Sequence, residues 1–272
     1  MNFHSDEWIM DRVREHYQEA LQHFPEHRIL GIFYQGSGNY GLDYENSDVD
    51  TKLIVLPELN DLIFNRAPVS TTYVRENNEH IDFKDIRLYM QTFRKQNLNF
   101  MEILFTPYKI INPHYEKYWQ RLVDNREAIT HYFPKQAIKS MQGIAKEKYH
   151  AMEHRYPSKA AVIDQWGYDG KQLHHLLRVQ DYITRYIAGE SYENCLKPLN
   201  AEYLLEVKRQ TIPLKEARIL ANDAMTDIDE KCHAFLEQCS ETTDPKVEKL
   251  LNEVQYDIMY TAIYRGMYML EG

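Results

Sequence analysis

The 272-residue sequence is short of several things, and each shortage removes a class of protein from consideration. No apolar run approaches the roughly 18 residues that a membrane-spanning helix needs. The opening "MNFHSDEWIMDRVREHY" is charged and helix-periodic, unlike a signal peptide, so no membrane partner is expected. Only three cysteines occur (Cys195, Cys232 and Cys239), with no CxxC spacing. That excludes a disulfide framework and points to a reducing, cytoplasmic setting. Internal repeats and low-complexity stretches are missing. Positive charge is in deficit: 32 Lys and Arg stand against 41 Asp and Glu, a net −9 at pH 7. Broad, sequence-independent coating of nucleic acid is therefore disfavoured. One local exception runs from Lys135 to Lys159, where Lys135, Lys139, Lys146, Lys148, Arg155 and Lys159 face only Glu147 and Glu153.

What is present is an ordinary globular composition, 43% hydrophobic and 27% charged, in a length that allows one large or two modest domains. Ser5 suits the cap of a first helix, Asp6 and Glu7 suit its positive end, and Trp8, Ile9, Val13, Tyr17, Leu21 and Phe24 form an apolar stripe. Short β-branched and aromatic runs predict strands over about 28–34, 48–56, 70–75 and 79–84. Asp85 then suits the cap of a helix carrying Ile86, Tyr89, Met90 and Phe93. Beyond "FMEILF" and "INPHY" the strand pattern stops, and helices are expected over about 113–131, 134–155, 158–189, 200–209, 214–239 and 244–270. The expected fold is α+β: a small mixed-sheet domain over residues 1–112, then an all-helical domain over 113–272.

The chemistry concentrates in "YQGSGNYGLDYENSDVD", residues 34–50. Strand alternation points Asp48 and Asp50 the same way, with Val49 buried behind them. Two adjacent carboxylates repel unless a cation lies between them, and hard oxygen ligands suit Mg²⁺, which binds phosphate at the same time. The Gly36-Ser37 turn lets the backbone approach an anion, with its N–H groups and the Ser37 hydroxyl as phosphate donors. Lys52 shares the Asp48/Asp50 face by parity. A third acid is expected from a neighbouring strand, and in Ile81-Asp82-Phe83 an acid stands between two apolar positions. Asp85 is the rival, though its place suits capping better.

Gly36-Ser37, Ser47-Asp48-Val49-Asp50 and Ile81-Asp82-Phe83 together resemble the DNA polymerase β-like nucleotidyltransferase superfamily. The likeness narrows to the small bacterial and phage predicted nucleotidyltransferases of the YcgL type, some encoded beside RNA-repair ligases. It is carried by "GSGNYGLDYENSDVD", "DIRLYMQTFRKQNLNFMEILF" and "GYDGKQLHHLLRVQDYI" followed by "AGE", most of residues 30–190. The resemblance implies transfer of a nucleoside monophosphate from an NTP to an acceptor hydroxyl. Asp48 and Asp50 would hold two Mg²⁺ ions, one of them shared with Asp82, which holds or deprotonates the acceptor oxygen. Ser37, Ser47 and the backbone near Gly36 and Gly38 would hold phosphates. An RNA 3′ end is the favoured acceptor, on the branch resemblance and the basic segment. A protein hydroxyl, as in AMP-transferring toxins or antitoxins, and a silent nucleotide-binding partner are the alternatives. Base, sugar and oligomeric state stay open.

In "GYDGKQLHHLLRVQ", Lys171, His175 and Arg178 lie at i, i+4 and i+7 and share one helix face, with His174 at its edge. Leu173, Leu176 and Leu177 can anchor that helix. A solvated basic face is the ordinary explanation; the resemblance favours contact with a triphosphate. Cys232-His233 reads as packing on an amphipathic helix. Tyr256, Tyr260, Tyr264 and Tyr268 recur at i+4, which reads as a core or interface stripe.

Overall fold

The computed structural model describes residues 3–45 and 47–269. In chain order the elements begin with α1 (Asp6–His23), β1 (Ile29–Gln35), β2 (Asp50–Val55), α2 (Leu59–Ile63), β3 (Ser70–Val74), β4 (His80–Asp85) and α3 (Ile86–Arg94). There follow α4 (Leu98–Met101), β5 (Lys109–Ile111), α5 (Glu116–Asp124), α6 (Arg126–Thr130), α7 (Pro134–Met152), α8 (Ala160–Trp166) and α9 (Gly170–Ile187). The last four are α10 (Tyr192–Leu196), α11 (Ala201–Lys208), α12 (Leu214–Gln238) and α13 (Pro245–Met269). The architecture is α+β.

Two compact units result, one from Met1–Asn39, Asp43–Tyr132 and Thr243–Gly272, the other from Tyr40–Leu42 and Phe133–Thr242. This differs from the expected division at residues 112/113. Packing explains the shift. Trp119 of α5 lies 4.4 Å from the Phe33 ring of β1, and Gln96 donates to the Ile129 carbonyl of α6. The terminal α13 returns to the same unit: Arg94 reaches Glu248 and Asn252, while Arg121 reaches Glu253 and Asp257.

The sheet order is β3-β4-β2-β1-β5, with β2 and β4 parallel and every other pair antiparallel. The three-residue β5 lies between Pro107 and Pro113 and is too short to show a period. In register, Gln35 faces Asp50, Thr51 faces Ile81 and Lys52 faces Asp82. Alternation sends Leu53, Val55, Ile81 and Phe83 into a core with Ile9, Val13 and Ala20 of α1. Asp50, Lys52 and Asp82 take the opposite face. Ser5 caps α1 as expected, its hydroxyl accepting from the Trp8 N–H at 3.1 Å. The buried seam is Ile9, Val13, His16 and Ala20, so a histidine stands where the expected stripe had none, and Trp8 turns outward. Ile9 and Val13, both fully buried, each contribute about 1.5–3 kcal/mol.

The second unit is helical, with α9 packed on α7, α11 and α12. The helix expected over 158–189 is broken. Gly167 takes a left-handed φ of +79° at the end of α8, and a Cβ there would meet Leu214 Cδ2 at 2.7 Å. Asp169 then caps α9 by accepting from the Lys171 N–H at 2.9 Å. Cys232 is fully buried, in line with packing, whereas His233 is exposed. The tyrosines of α13 are not core: Tyr256, Tyr260 and Tyr264 are 67%, 58% and 52% exposed and stack along the helix, while Val247, Leu251, Val254, Ile258 and Ala262 form its buried face. The Tyr268 side chain lies outside the described residues. None of the three cysteines forms a disulfide. No helix among the described residues is long and apolar enough to cross a membrane.

Candidate active site

β1 ends at Gln35, and the chain passes Gly36 into a 3-10 turn, Ser37–Tyr40. Tyr34 explains the glycines. Its hydroxyl accepts the Gly38 N–H at 3.0 Å, and a Cβ at Gly36 or Gly38 would come within 2.7 or 2.9 Å of that oxygen. The Gly38 N–H is thus committed to a tyrosine beneath the turn. Burial pushes the Tyr34 hydroxyl well above its usual range, so it stays protonated. The Ser37 and Ser47 hydroxyls meet at 3.3 Å, and Ser47 Oγ also accepts the Tyr44 N–H at 3.0 Å.

Because β4 runs parallel beside β2, His80 lies next to Asp50. Its backbone N–H and its Nδ1 both reach Asp50 Oδ1, each at 2.9 Å. Burial and the charge of Asp48 push the Asp50 carboxyl up from its ordinary value, against the pull of these hydrogen bonds. Asp82 stands one pair further along and is bound to Lys52, Nζ to Oδ2 at 3.3 Å. Lys52 is only 5% exposed, and its Nζ lies 4.0 Å over the Phe100 ring. Burial pulls its pKa down, offset in part by Asp82 and by Glu102, a second buried carboxylate. Asp50 and Asp82 therefore share a sheet face, Asp48 stands two residues ahead of β2 near enough for its charge to act on Asp50, and the three do not form one cluster. Among the described residues no group of three or more His, Cys, Asp or Glu is close enough to hold a metal ion. Asp85 is a helix cap: it accepts the Arg87 N–H at 2.8 Å and pairs with the Arg87 guanidinium.

The α9 residues divide. Lys171 is exposed. Arg178 is 8% exposed, with its guanidinium 4.1 Å over the Tyr40 ring and its Nε without a hydrogen-bond partner. His174 Nδ1 donates to the Leu204 carbonyl at 2.8 Å; since a carbonyl only accepts, Nδ1 carries the proton. Burial lowers its pKa to about 3 and pushes His175 well down too, so neither is a cation for phosphate at neutral pH. The basic segment is largely paired: Lys135 with Glu241, Lys146 with Asp229, Lys148 with Glu147, Arg155 with Asp164 and Lys159 with Asp169. Four of those five acids lie outside the Lys135–Lys159 window, which is why the window looked so basic.

A model of the RlaP family, described as an RNA repair pathway DNA polymerase beta family, matches residues 9–253. The chain belongs to the RlaP family. That membership makes it a DNA polymerase β-like nucleotidyltransferase. A nucleotidyltransferase-like protein from Exiguobacterium sibiricum 255-15, a crystal structure at 1.90 Å, aligns with a TM-score of 0.32 at 11% identity, over 83% of this chain and 75% of that one. At that score the likeness carries no weight. Among curated proteins none matches the sequence at a significant level.

RlaP membership implies a divalent cation, and part of the donor set fits one. Asp48 and Asp50 are close enough for one charge to perturb the other, both offer hard oxygens, and the His80 contacts fall on Oδ1 alone, leaving Oδ2 of Asp50. Asp82 does not complete that set, since Lys52 holds it. Two neighbours in this RlaP chain escaped sequence reasoning. His80 shares strand parity with Asp82 and was legible on that ground; Glu102 sits inside the apolar "FMEILF" and gave no signal.

Proposed function

We propose that the chain moves a nucleoside monophosphate from an NTP to the 3′ hydroxyl of an RNA, in the cytoplasm. The carrying observation is the Asp48–Asp50 pair at the start of β2, where the Asp48 charge raises the Asp50 carboxyl, and this supports a cation between them. The RNA-repair family supports the acceptor. Asp48 and Asp50 would hold Mg²⁺. When bound, Mg²⁺ supplies neutralisation of the triphosphate and a lowered pKa for the acceptor hydroxyl. Asp82 keeps Oδ2 on Lys52 and offers Oδ1 to the proton of the acceptor hydroxyl. The acceptor oxygen then bonds to the α-phosphorus, the α–β bridging bond breaks, and pyrophosphate leaves. The Ser37 and Ser47 hydroxyls serve as donors to outer phosphate oxygens, and exposed Lys171 is available to an anion.

The test incubates the protein with each α-³²P-labelled NTP, Mg²⁺ and an RNA bearing a 3′ hydroxyl, with a 3′-blocked RNA in parallel. Label on the open RNA alone is expected. Label on protein would transfer the reading to a protein acceptor, and no label under any condition would leave a silent nucleotide-binding partner.

A further inference from the structure

We propose that the turn joining β3 and β4 is a positioning device for the aspartate pair: Glu79 holds the Val49 backbone N–H and, through His16, the Thr51 hydroxyl on either side of Asp50, and His80 fixes its carboxylate. The proposal rests on the reading of Asp48 and Asp50 as cation ligands.

The turn closes through Asn78, at a left-handed φ of +65° that asparagine tolerates, with Arg75 N–H donating to the Glu79 carbonyl at 2.9 Å. It delivers Glu79 to a place only 5% exposed. A buried carboxylate is costly unless its lone pairs are used. Here they are. Oε1 accepts the Val49 N–H at 3.2 Å and Arg12 Nε at 3.3 Å. Oε2 accepts Arg75 at 2.7 Å, Asn77 at 2.8 Å, His16 Nε2 at 3.0 Å and the second Arg12 nitrogen. Burial alone would raise the Glu79 pKa; hydrogen bonds from His16, Arg12 and Asn77 overcome it and hold the carboxyl far below its usual range. An ionised Glu79 only accepts, so His16 Nε2 carries a proton. His16 Nδ1 meets Thr51 Oγ1 at 2.9 Å.

Val49 and Thr51 flank Asp50. One is tied to Glu79 directly and the other through His16, both on the α1 face of the sheet. On the opposite face, His80 holds Oδ1 of Asp50. The consequence is specific. Like charges on Asp48 and Asp50 push those side chains apart when no cation is bound, and a fixed backbone limits that movement. Groups that orient metal ligands in this way typically change metal affinity by about 10–100-fold when removed.

The test uses the full chain and Mn²⁺, whose binding is followed by electron paramagnetic resonance and calorimetry, with circular dichroism to establish folding at each temperature. Glu79→Gln should weaken Mn²⁺ binding at least about tenfold. Glu19→Gln neutralises a second carboxylate on Arg75 (2.9 Å to Nε and to Nη2) and touches no contact to Val49; it should lower Tm with Mn²⁺ affinity within about twofold of wild type. Should Glu79→Gln fail to fold, His80→Ala at a partly exposed position carries the test, with an expected loss of several-fold. Folded Glu79→Gln and His80→Ala proteins that bind Mn²⁺ as tightly as wild type would reduce the turn to a structural ion network. Asp50→Asn, measured alongside, should abolish binding; if it does not, the cation reading itself falls and takes the proposal with it.

Discussion

Asp82→Asn probes the most buried charge pair on the candidate face. The amide keeps the shape and an acceptor for Lys52 Nζ, 3.3 Å away, but removes the charge. Lys52 would remain almost dehydrated, with Glu102 and the Phe100 ring as its remaining support. Removing one partner of a buried pair costs roughly 3–5 kcal/mol. The Asp82 side chain is 24% exposed and Glu102 stays, so a loss of about 1–3 kcal/mol is expected. Lys52→Met runs the other way. It removes the desolvated cation, keeps an apolar stem against Phe100 and leaves Asp82 within reach of water, for a change within about 1 kcal/mol of wild type. The double variant should follow Lys52→Met, since the two sites are coupled. Urea unfolding at pH 7, with a common slope, measures all three. The pH dependence has a definite sign. The folded pKa of Lys52 is lowered, chiefly by burial, so between that value and about 10.4 the unfolded chain binds the proton and the folded chain does not. Stability therefore gains a rising component over that window, and Lys52→Met should lack it. If Asp82→Asn unfolds with wild type while Lys52→Met loses more than about 2 kcal/mol, Lys52 is not a cation under desolvation stress and the reasoning is wrong.

Asp48→Asn and Asp50→Asn should each abolish transfer while metal-free stability holds or rises. The Asp50 pKa is raised on folding, by burial and by Asp48, so the stability it contributes is present in acid and lost as pH climbs through the folded value. Turnover near wild type in either variant would end their assignment as ligands. Lys171→Ala should raise the NTP KM at least tenfold at unchanged Tm, whereas Arg178→Ala should lower Tm, because it empties a buried site against Tyr40; steady-state kinetics and thermal scans separate the two. Reversing Lys139 and Lys146 to Glu should leave RNA affinity within about twofold, since most cations of that segment are already paired; a tenfold fall with a flatter salt dependence would restore the segment as an RNA surface.

Local rules carried much of the fold. Ser5 and Asp85 announce helices because a cap is a contact within three residues, and Asp50 and Lys52 share a face because strand parity is local. The break at Gly167 was legible on the same terms, as a glycine stop followed by the Asp169 cap. What escaped depends on distant partners. β5 is three residues that form a strand only because Gly31 lets Ile110 approach; a Cβ there would lie 2.8 Å from the Ile110 carbonyl oxygen. α13 has a readable apolar face, but nothing local says that its face returns to α3 and α5. The pairing of the Lys135–Lys159 cations with Asp164, Asp169, Asp229 and Glu241 is equally remote.

The same distinction explains why Asp82 could be assigned to the right face yet not to its neighbour. A strand slipped by one residue turns every side chain over, but a slip of two preserves every face, so alternation alone cannot choose between those registers. Slipping β4 by two against β2 would set Asp82 beside Asp50, where three acids could share a cation. The observed register sets His80 there and gives Asp82 to Lys52. The choice is made at the start of the strand. In the slipped register Glu79 would leave the Val49 N–H and move away from Arg12 and His16, stranding a buried histidine and desolvated charges at several kcal/mol. That network joins positions 12, 16, 49, 75, 77 and 79, a set with no period. It is therefore silent in the sequence and decisive in the fold.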